Sequence, residues 1–522
     1  MPKINISDRD LTRAFGSITT NYGVFVPGMP GVDAANPPYV AKEYRSLTAF
    51  VADVGKSPTT LNSNFTDMGY MYAAELLGAG LPVIYKCVPE LNITLSTQVD
   101  SSLGTSPDIT ITVDTSVANT QVLTTTALTK TPANSEFTFL DENGTAVPLL
   151  GTDLNFEISV DENKVLTLTE TYTGTETASM VDLSTIKQVQ YQYAGTDYVD
   201  PEDVTYETIC NKILGDKSFF EEIKDRGLYD VSFVTTGGYP TIWGDPVTSG
   251  TTTARKNLIS AMLNTTAARG DCFALIDFEE TAQIRYNNSK YEMQKPDGTW
   301  SEITEINIDT VPQDAFIIHP WEQFTPNYSG VATSFFFPGS FAFLKCFAGS
   351  IRTNNPWFAI AGVKRGAVSC TGVSQVITTA QAESMQPTAG RSINDIIYIK
   401  PYGYTIYGNR TLVQNTDAGL VANSFINVRQ LVHEIKRNVY TVCKGLMFDP
   451  NDDILWVNFK NAVTPLLEKM KSGQGITSYR LVKIQSNARG TMTAKIIISP
   501  IEAVETFDIT IELTDEDIAV VG

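Results

Sequence analysis

Histidine is nearly absent from this chain and cysteine is sparse, and both shortages narrow what it can do. Its 522 residues include two histidines and six cysteines. Cys87, Cys210, Cys272, Cys346, Cys370 and Cys443 are scattered without a C-x-x-C spacing. Metal clusters and small disulfide scaffolds need tighter grouping, so these are expected to be mostly buried thiols in a reducing compartment. No stretch of about 18 apolar residues runs unbroken, and a membrane span is not expected. No signal-peptide pattern opens the chain, because Asp8-Arg9-Asp10 interrupts it before any apolar run. Basic runs are missing too. With 38 Lys and Arg against 58 Asp and Glu, the net charge is −20 and the pI about 4.6. Wrapping a nucleic acid would require a concentrated basic face, so nucleic acid is not an expected partner. A surplus of negative charge serves solubility at high concentration.

Signatures of chemistry are equally thin. Gly55-Lys56-Ser57 has Phe50 where a phosphate loop needs its first glycine. Asp449-Pro450-Asn451-Asp452-Asp453 spaces oxygen ligands as a calcium loop does, but Ile454 replaces the required glycine and Lys460 the closing glutamate. A helix-capping turn is the expected reading. His433 sits in a helical pattern beside Val432. His319 ends the apolar run Phe316-Ile317-Ile318, with neither a G-x-S-x-G nor a reactive-cysteine signature beside it. Neither catalysis nor a cofactor or metal is expected.

What is present is patterned apolar sequence in amounts that require several domains. Residues 90–199 contain no Arg, Trp or Cys, and only Lys130, Lys164 and Lys187 stand against fifteen Asp and Glu, so this segment carries 12 of the 20 net negative charges. Its Thr and Val content and short alternating runs predict an inserted β-sandwich. One hairpin turns at Asp141–Gly144, and another joins Phe156–Val160 to Leu166 and Leu168. The flanks alternate helix and strand patterns. A helix over 67–77 precedes a buried strand over 82–88; strands at 229–234 and 272–276 bracket a helix over 254–268, which is the signature of a sheet covered by helices. A hairpin turning at Pro296-Asp297-Gly298 is expected near 285–310. Toward the C-terminus two amphipathic helices are predicted. The first is capped by Ser424, and the second runs over 454–470 with Pro465 kinking or dividing it. Strands over 476–484, 494–498 and the terminal run form a β-meander.

Both ends of the chain alternate in strand fashion: Ile4 and Ile6 at the start, Phe507, Ile509, Ile511 and Leu513 at the end. A terminal strand needs a sheet to join. Either the ends pair within the subunit, or they are arms that complete a neighbour's sheet.

Several segments between about 310 and 515 resemble, in order, the contractile tail sheath family of bacteriophages and related injection machines. Phe316-Ile317-Ile318-His319-Pro320-Trp321 is similar to the family's strand ending in Pro-Trp. Pro338–Ala342, Ile351-Arg352-Thr353-Asn354 and Asn355-Pro356-Trp357 resemble its stretch in which a small-residue helix leads to an Arg-Thr-Asp and a Trp. Thr378–Met385 with Ile393-Asn394 precedes the next strand. Gly408-Asn409-Arg410-Thr411-Leu412 resembles its Gly-x-Arg-Thr-Leu signature, Asn427-Val428-Arg429-Gln430-Leu431 its Asn-Val-Arg-Arg-Leu helix, and Phe448-Asp449-Pro450-Asn451 with Trp456 a shortened Phe-x-Pro-Asn step. Asn354, Gln430 and His319 depart from the pattern, and the N-terminal third matches only through Gly23–Gly28.

The resemblance implies a mixed α/β and α+β multidomain protein. Its parts would be an N-terminal arm (1–22), a discontinuous middle domain (23–89 and 200–400), the outer β-rich insertion (90–199), an α+β C-terminal domain (401–505) and a C-terminal arm (506–522). It implies a homo-oligomer whose rings stack around an inner tail tube and contract for genome delivery. Baseplate and tail terminator proteins are further partners, in a virion assembled in a bacterial host cytoplasm. Lys460, Lys469 and Lys471 are the residues expected to face the tube. The sheath of a phage-derived bacteriocin or injection particle is a close alternative. A surface-displayed β-rich binding protein, with the acidic insertion as a carbohydrate module, is an alternative of a different class, and an enzyme is a distant third.

Overall fold

Glycine lets the central sheet of this protein receive its covering helix. Strand β1 (Gly23–Gly28) is wholly buried, and helix α1 (Met68–Ala79) lies so close that a Cβ on Gly69 would stand 2.4 Å from the Pro27 carbonyl oxygen and 2.5 Å from Gly28 Cα. Helix α1 is buried on nearly every side from Met68 to Leu77, as befits one enclosed between layers. The computed structural model describes residues 21–503 except 31–35, 56–67, 89–97, 102–110, 116–118, 128–135, 161–164, 175–179, 193–205, 244–248, 326–333, 485–490 and the single positions 142, 144, 152, 187, 217, 296 and 417. The chain divides into two compact units, Met1–Pro89 with Tyr206–Gly522, and Glu90–Thr205.

The larger unit is built on an eight-stranded sheet. Besides β1 it contains β2 (Lys42–Tyr44), β3 (Val83–Cys87), β4 (Val231–Val234), β5 (Phe273–Ile276), β6 (Ala315–His319), β7 (Asn394–Ile399) and β8 (Gly403–Tyr407), in the spatial order β2-β3-β1-β4-β5-β6-β7-β8. The six inner strands are parallel, and an antiparallel strand closes each edge. Parallel strands with both faces covered read as continuous apolar runs, and Phe273-Ala274-Leu275-Ile276 and Ala315-Phe316-Ile317-Ile318 do so, every residue buried. Helix α2 (Ser249–Arg269) and helix α3 (Gly339–Ser350) pack on this sheet through β5 and β6. The hairpin β7–β8 spans residue 400, so the segments on either side of that position share one sheet.

The expected hairpin near 285–310 is a three-stranded antiparallel sheet of Ile284–Asn287, Lys290–Gln294 and Trp300–Glu302. Its first turn lies at Asn288-Ser289, both with positive φ (49° and 61°), which matches a two-residue hairpin loop and was not recognised from sequence. The turn read at 296–298 connects its second and third strands.

The smaller unit has a three-stranded sheet (Gln98–Ser101, Gln188–Gln192, Glu136–Leu140) and a four-stranded one (Ile111–Asp114, Thr120–Ala127, Val165–Tyr172, Leu154–Val160). Both hairpins read from the sequence are present: Leu140 pairs with Ala146 around a turn in which Asp141 Oδ1 accepts from the backbone of Asn143 and Thr145, and Leu154–Val160 pairs with Leu166–Tyr172. Phe139 from one sheet and Leu123, Leu166 and Leu168 from the other meet in one apolar cluster with Leu183 and Ile186.

None of the six cysteines forms a disulfide among the described residues. Cys87, Cys210 and Cys272 are buried, Cys346 and Cys370 half-buried, and Cys443 exposed. No helix among the described residues is long and apolar enough to cross a membrane.

Candidate assembly surface

Helix α4 (Ile426–Gly445), helix α5 (Asp453–Ser472) and the hairpin of β9 (Ile476–Ile484) and β10 (Thr493–Pro500) form the end of the described chain. The three- and four-residue spacing seen in the sequence forms its core: Leu431, Ile435 and Val442 of α4 pack with Phe459, Val463, Leu467 and Met470 of α5, Ile476 of β9 and Trp357. Two expectations about helix ends and continuity need correction. Ser424 does not cap α4; it belongs to a short 3₁₀ turn, and its Oγ donates to Asn415 Oδ1 at 2.5 Å. Pro465 does not divide α5, which continues for 20 residues. The lost backbone bond toward Asn461 is outweighed by burial of Val463, Leu467 and Met470 on either side. The capping turn before Trp456 is present, with Asp452 accepting from Leu455 N at 2.9 Å.

Buried polar groups fasten α4 to the large sheet. Asp314, just before β6, accepts at Oδ1 from Arg429 Nε (2.9 Å), Arg429 Nη2 (2.6 Å) and His433 Nε2 (2.8 Å). The cations and donors around Asp314 hold its carboxyl below the usual range against the opposing effect of burial, while burial pushes His433 down to about 4, so its imidazole is neutral. Asn394 on β7 donates to the carbonyls of Ile317 and Arg410 and accepts from Arg410 N, and Asn409 Nδ2 donates to Asn427 Oδ1 at 2.7 Å. The Gly-x-Arg-Thr-Leu segment is thus a clamp joining β7, β6 and the start of α4. Of these partners, Asp314 was missed from sequence, since a lone carboxylate before a strand carries no local signal.

A second fastening holds the turn between α5 and β9. Trp357 Nε1 and Asn355 Nδ2 both donate to the Gly473 carbonyl, at 2.9 and 3.1 Å. A Cβ on Gly475 would stand 2.9 Å from Trp357 Nε1 and from Leu431 Cδ1, so the close approach requires glycine. Arg352 donates to the carbonyl of Ala79, the last residue of α1. The Arg-Thr-Asn and Pro-Trp segments therefore act as structural joints.

The hairpin β9–β10 is the exposed part. Ala494, Ile496 and Ile498 turn toward the helices, while Lys495, Ile497 and Ser499 face outward. β9 and β10 pair only with each other among the described residues, so each presents an open edge. Beside it, the connection from α4 to α5 exposes Met447 and Phe448 and the first turns of α5 expose Ile454 and Val457; Phe448 is 99% exposed, with φ +70°. The residues expected to form arm strands, Ile4, Ile6, Phe507, Ile509, Ile511 and Leu513, lie outside the described residues. Lys460, Lys469 and Lys471 are all exposed on α5. At 100° per residue, Lys460 and Lys471 fall about 20° apart and Lys469 about 180° from Lys460, so they flank the buried stripe on two sides.

The two histidines are structural. His319 is buried against Phe278, its Nε2 2.8 Å from Gln375 Oε1, and burial lowers its pKa to about 4.

Residues 422–514 match the family model described as phage tail sheath C-terminal domain. The tail sheath protein of Vibrio phage KVP40 is 24% identical over 176 residues, covering 32% of this chain, and the chain spans only about a quarter (25%) of that relative's length. Among solved structures, the anti-feeding prophage baseplate aligns over 58% of this chain and 73% of the other at 16% identity (TM-score 0.40). The sheath complex of an extracellular contractile injection system in its contracted state aligns over 57% and 74% at 18% (0.41). The sheath tail protein of Desulfitobacterium hafniense aligns over 96% and 100% at 8% (0.43). Residues 422–514 thus match a phage tail sheath C-terminal domain, and a 176-residue stretch of the chain is similar to a phage tail sheath protein.

Proposed function

We propose that this protein is the structural subunit of a contractile sheath, polymerising as helical rings around an inner tail tube and shortening to drive that tube through a host envelope for genome delivery. The observation that carries this reading is the two-stranded sheet β9–β10, open on both edges among the described residues and seated on the α4–α5 pair. A lone two-stranded sheet is marginal in water, and added strands complete it. The terminal runs Ile4–Ile6 and Phe507–Leu513 of neighbouring subunits have the alternating pattern to supply them. Four or five ladder bonds at roughly 0.5–1.5 kcal/mol each, with burial of the apolar arm residues, would give a joint of order 5–10 kcal/mol. A joint made of backbone bonds survives rotation of the domains it links, which suits a lattice that must change packing.

In this scheme residues 23–89 and 200–400 supply most of the middle domain, whose sheet takes its last strand β8 from the 401–505 segment that continues into the C-terminal domain, and 90–199 are an outer decoration. Lys460, Lys469 and Lys471 face the tube, and baseplate and terminator proteins bound the sheath in particles built in the bacterial cytoplasm. The test is deletion of residues 506–522. A folded subunit that no longer forms tubes in negative-stain images supports the arm mechanism; tubes of normal length from the truncation refute it.

A further inference from the structure

A cavity of about 300 Å³ lies between α3, the strand Glu322–Phe324 and the short helix Gly362–Arg365. The groups that reach it are almost all hydrogen-bond donors. Lys364 is exposed at its rim. Arg365 is anchored by its Nε to the Ala359 carbonyl at 2.8 Å and stacked over Phe358, which leaves its two terminal nitrogens without a bond among the described residues. Lys345 rests its ammonium 3.4 Å from the centre of the Phe324 ring. Deeper in, Ser350 Oγ and Glu322 Oε1 are buried without a hydrogen-bond partner among the described residues, in side chains of residues only 7% and 2% exposed. Unpartnered buried polar atoms are costly, and their convergence on one cavity with three cations indicates a ligand.

We propose that this cavity binds a small oxyanion, a carboxylate or phosphate group, held by Lys364 and the Arg365 fork at the mouth and by Ser350 and the Glu322 carboxyl within. A planar guanidinium with free terminal nitrogens matches an oxyanion in shape and charge. Glu322 takes part as a donor. Burial raises its pKa to about 8 against the opposing pull of Lys345, so at neutral pH it carries a proton and offers an O–H. Of the other titratable groups near it, Lys345 is held below its usual range by burial and is offset by Glu75, while burial keeps the thiols of Cys346 and Cys370 protonated, with pKa values raised to about 12, so the positive field comes mainly from Lys364 and Arg365. The source of the anion is either a free small molecule or an acidic side chain of a second copy, whose surface is strongly acidic overall.

The test is calorimetric titration of the full-length chain, kept below its assembly concentration, with inorganic phosphate and separately with acetate. Saturable binding in the millimolar range or tighter is expected, weakened about tenfold or more by Lys364→Ala and by Arg365→Lys. Lys364 has no hydrogen-bond or ion-pair partner among the described residues, so that variant is expected to fold. Acetate is fully ionised from pH 6 to 9; across this interval its affinity should fall as Glu322 loses its proton near pH 8, and Glu322→Gln should abolish the fall. If phosphate also slows tube formation of the parent chain and not of Lys364→Ala, the natural source is a second copy; binding without that competition assigns it to a free anion. Absence of saturable binding by either probe, or affinities unchanged in both Lys364→Ala and Arg365→Lys, overturns the proposal.

Discussion

Asp314 and Arg429, 115 positions apart in the chain, form a buried ion pair in which Nε and Nη2 of the arginine converge on one carboxylate oxygen. His433 donates to that same oxygen from the next turn of α4. This is the point where the C-terminal helices are fixed to the large sheet, and it sets the first prediction. Asp314→Ala leaves Arg429 buried without its counter-charge, and loss of about 3–5 kcal/mol is expected. Chemical denaturation of the purified subunit, followed by Trp fluorescence, reads it; a loss below about 1 kcal/mol would show that the pair is solvated.

The Trp357–Gly473 contact should behave as a local joint. Trp357→Phe removes one buried donor and is expected to cost roughly 1–2 kcal/mol. Gly475→Ala pushes a methyl group against the indole and should cost about 1–3 kcal/mol. Because both act on the turn that launches β9, hydrogen exchange in 476–500 should rise in each variant while exchange in β4–β6 stays unchanged.

The buried neutral histidines give a pH dependence with a definite sign. His319 has a folded pKa of about 4 against an ordinary value of 6.5. As pH falls below 6.5 the unfolded chain takes up the proton first, so stability is fully present above 6.5 and is lost progressively down to about 4. His319→Gln should flatten this acid loss by up to about 3 kcal/mol. Asp277, whose buried carboxyl is raised to about 7, has the opposite sign but is common to both proteins and cancels in the difference. Parallel unfolding midpoints from pH 7 to 4 for the two proteins would contradict the assignment.

Phe448 is 99% exposed, and Met447, Ile454 and Val457 nearby in the chain are also exposed, so none of the four is covered by the described residues. Phe448→Ser is expected to leave the unfolding midpoint within about 0.5 kcal/mol while lowering the yield of tubes seen by microscopy. Equal yields would remove the patch from the assembly contacts.

Charge reversal at α5 separates tube binding from sheath polymerisation. Lys460→Glu with Lys471→Glu alters one side of the helix, and Lys469→Glu the other. Co-sedimentation with purified tube protein should fall for whichever side faces the tube, with self-assembly retained. Unchanged co-sedimentation for both variants would exclude α5 as the tube contact.

The regular elements were legible because their signals are local. Apolar runs marked β5 and β6 to within a residue or two, and three- and four-residue spacing marked α4 and α5. Helix ends and proline effects were less so: Ser424 has the residue type of a cap but is drawn to Asn415, and the apolar burial around Pro465 holds α5 together. The first turn of the sheet at 284–302, at Asn288-Ser289, escaped notice because its positive φ values come without the glycine that usually announces them.

The sequence by itself determined the acidic balance, the β-rich segment at 90–199, the alternating ends and the segments that resemble contractile sheath motifs, since composition and short-range periodicity are written residue by residue. Only the tertiary structure decided that Asp314, Arg429 and His433 share one oxygen and that Glu322, Ser350 and Arg365 surround one cavity. Such groupings depend on packing between elements far apart in the chain, where burial, desolvation and close approach choose partners that no local pattern names.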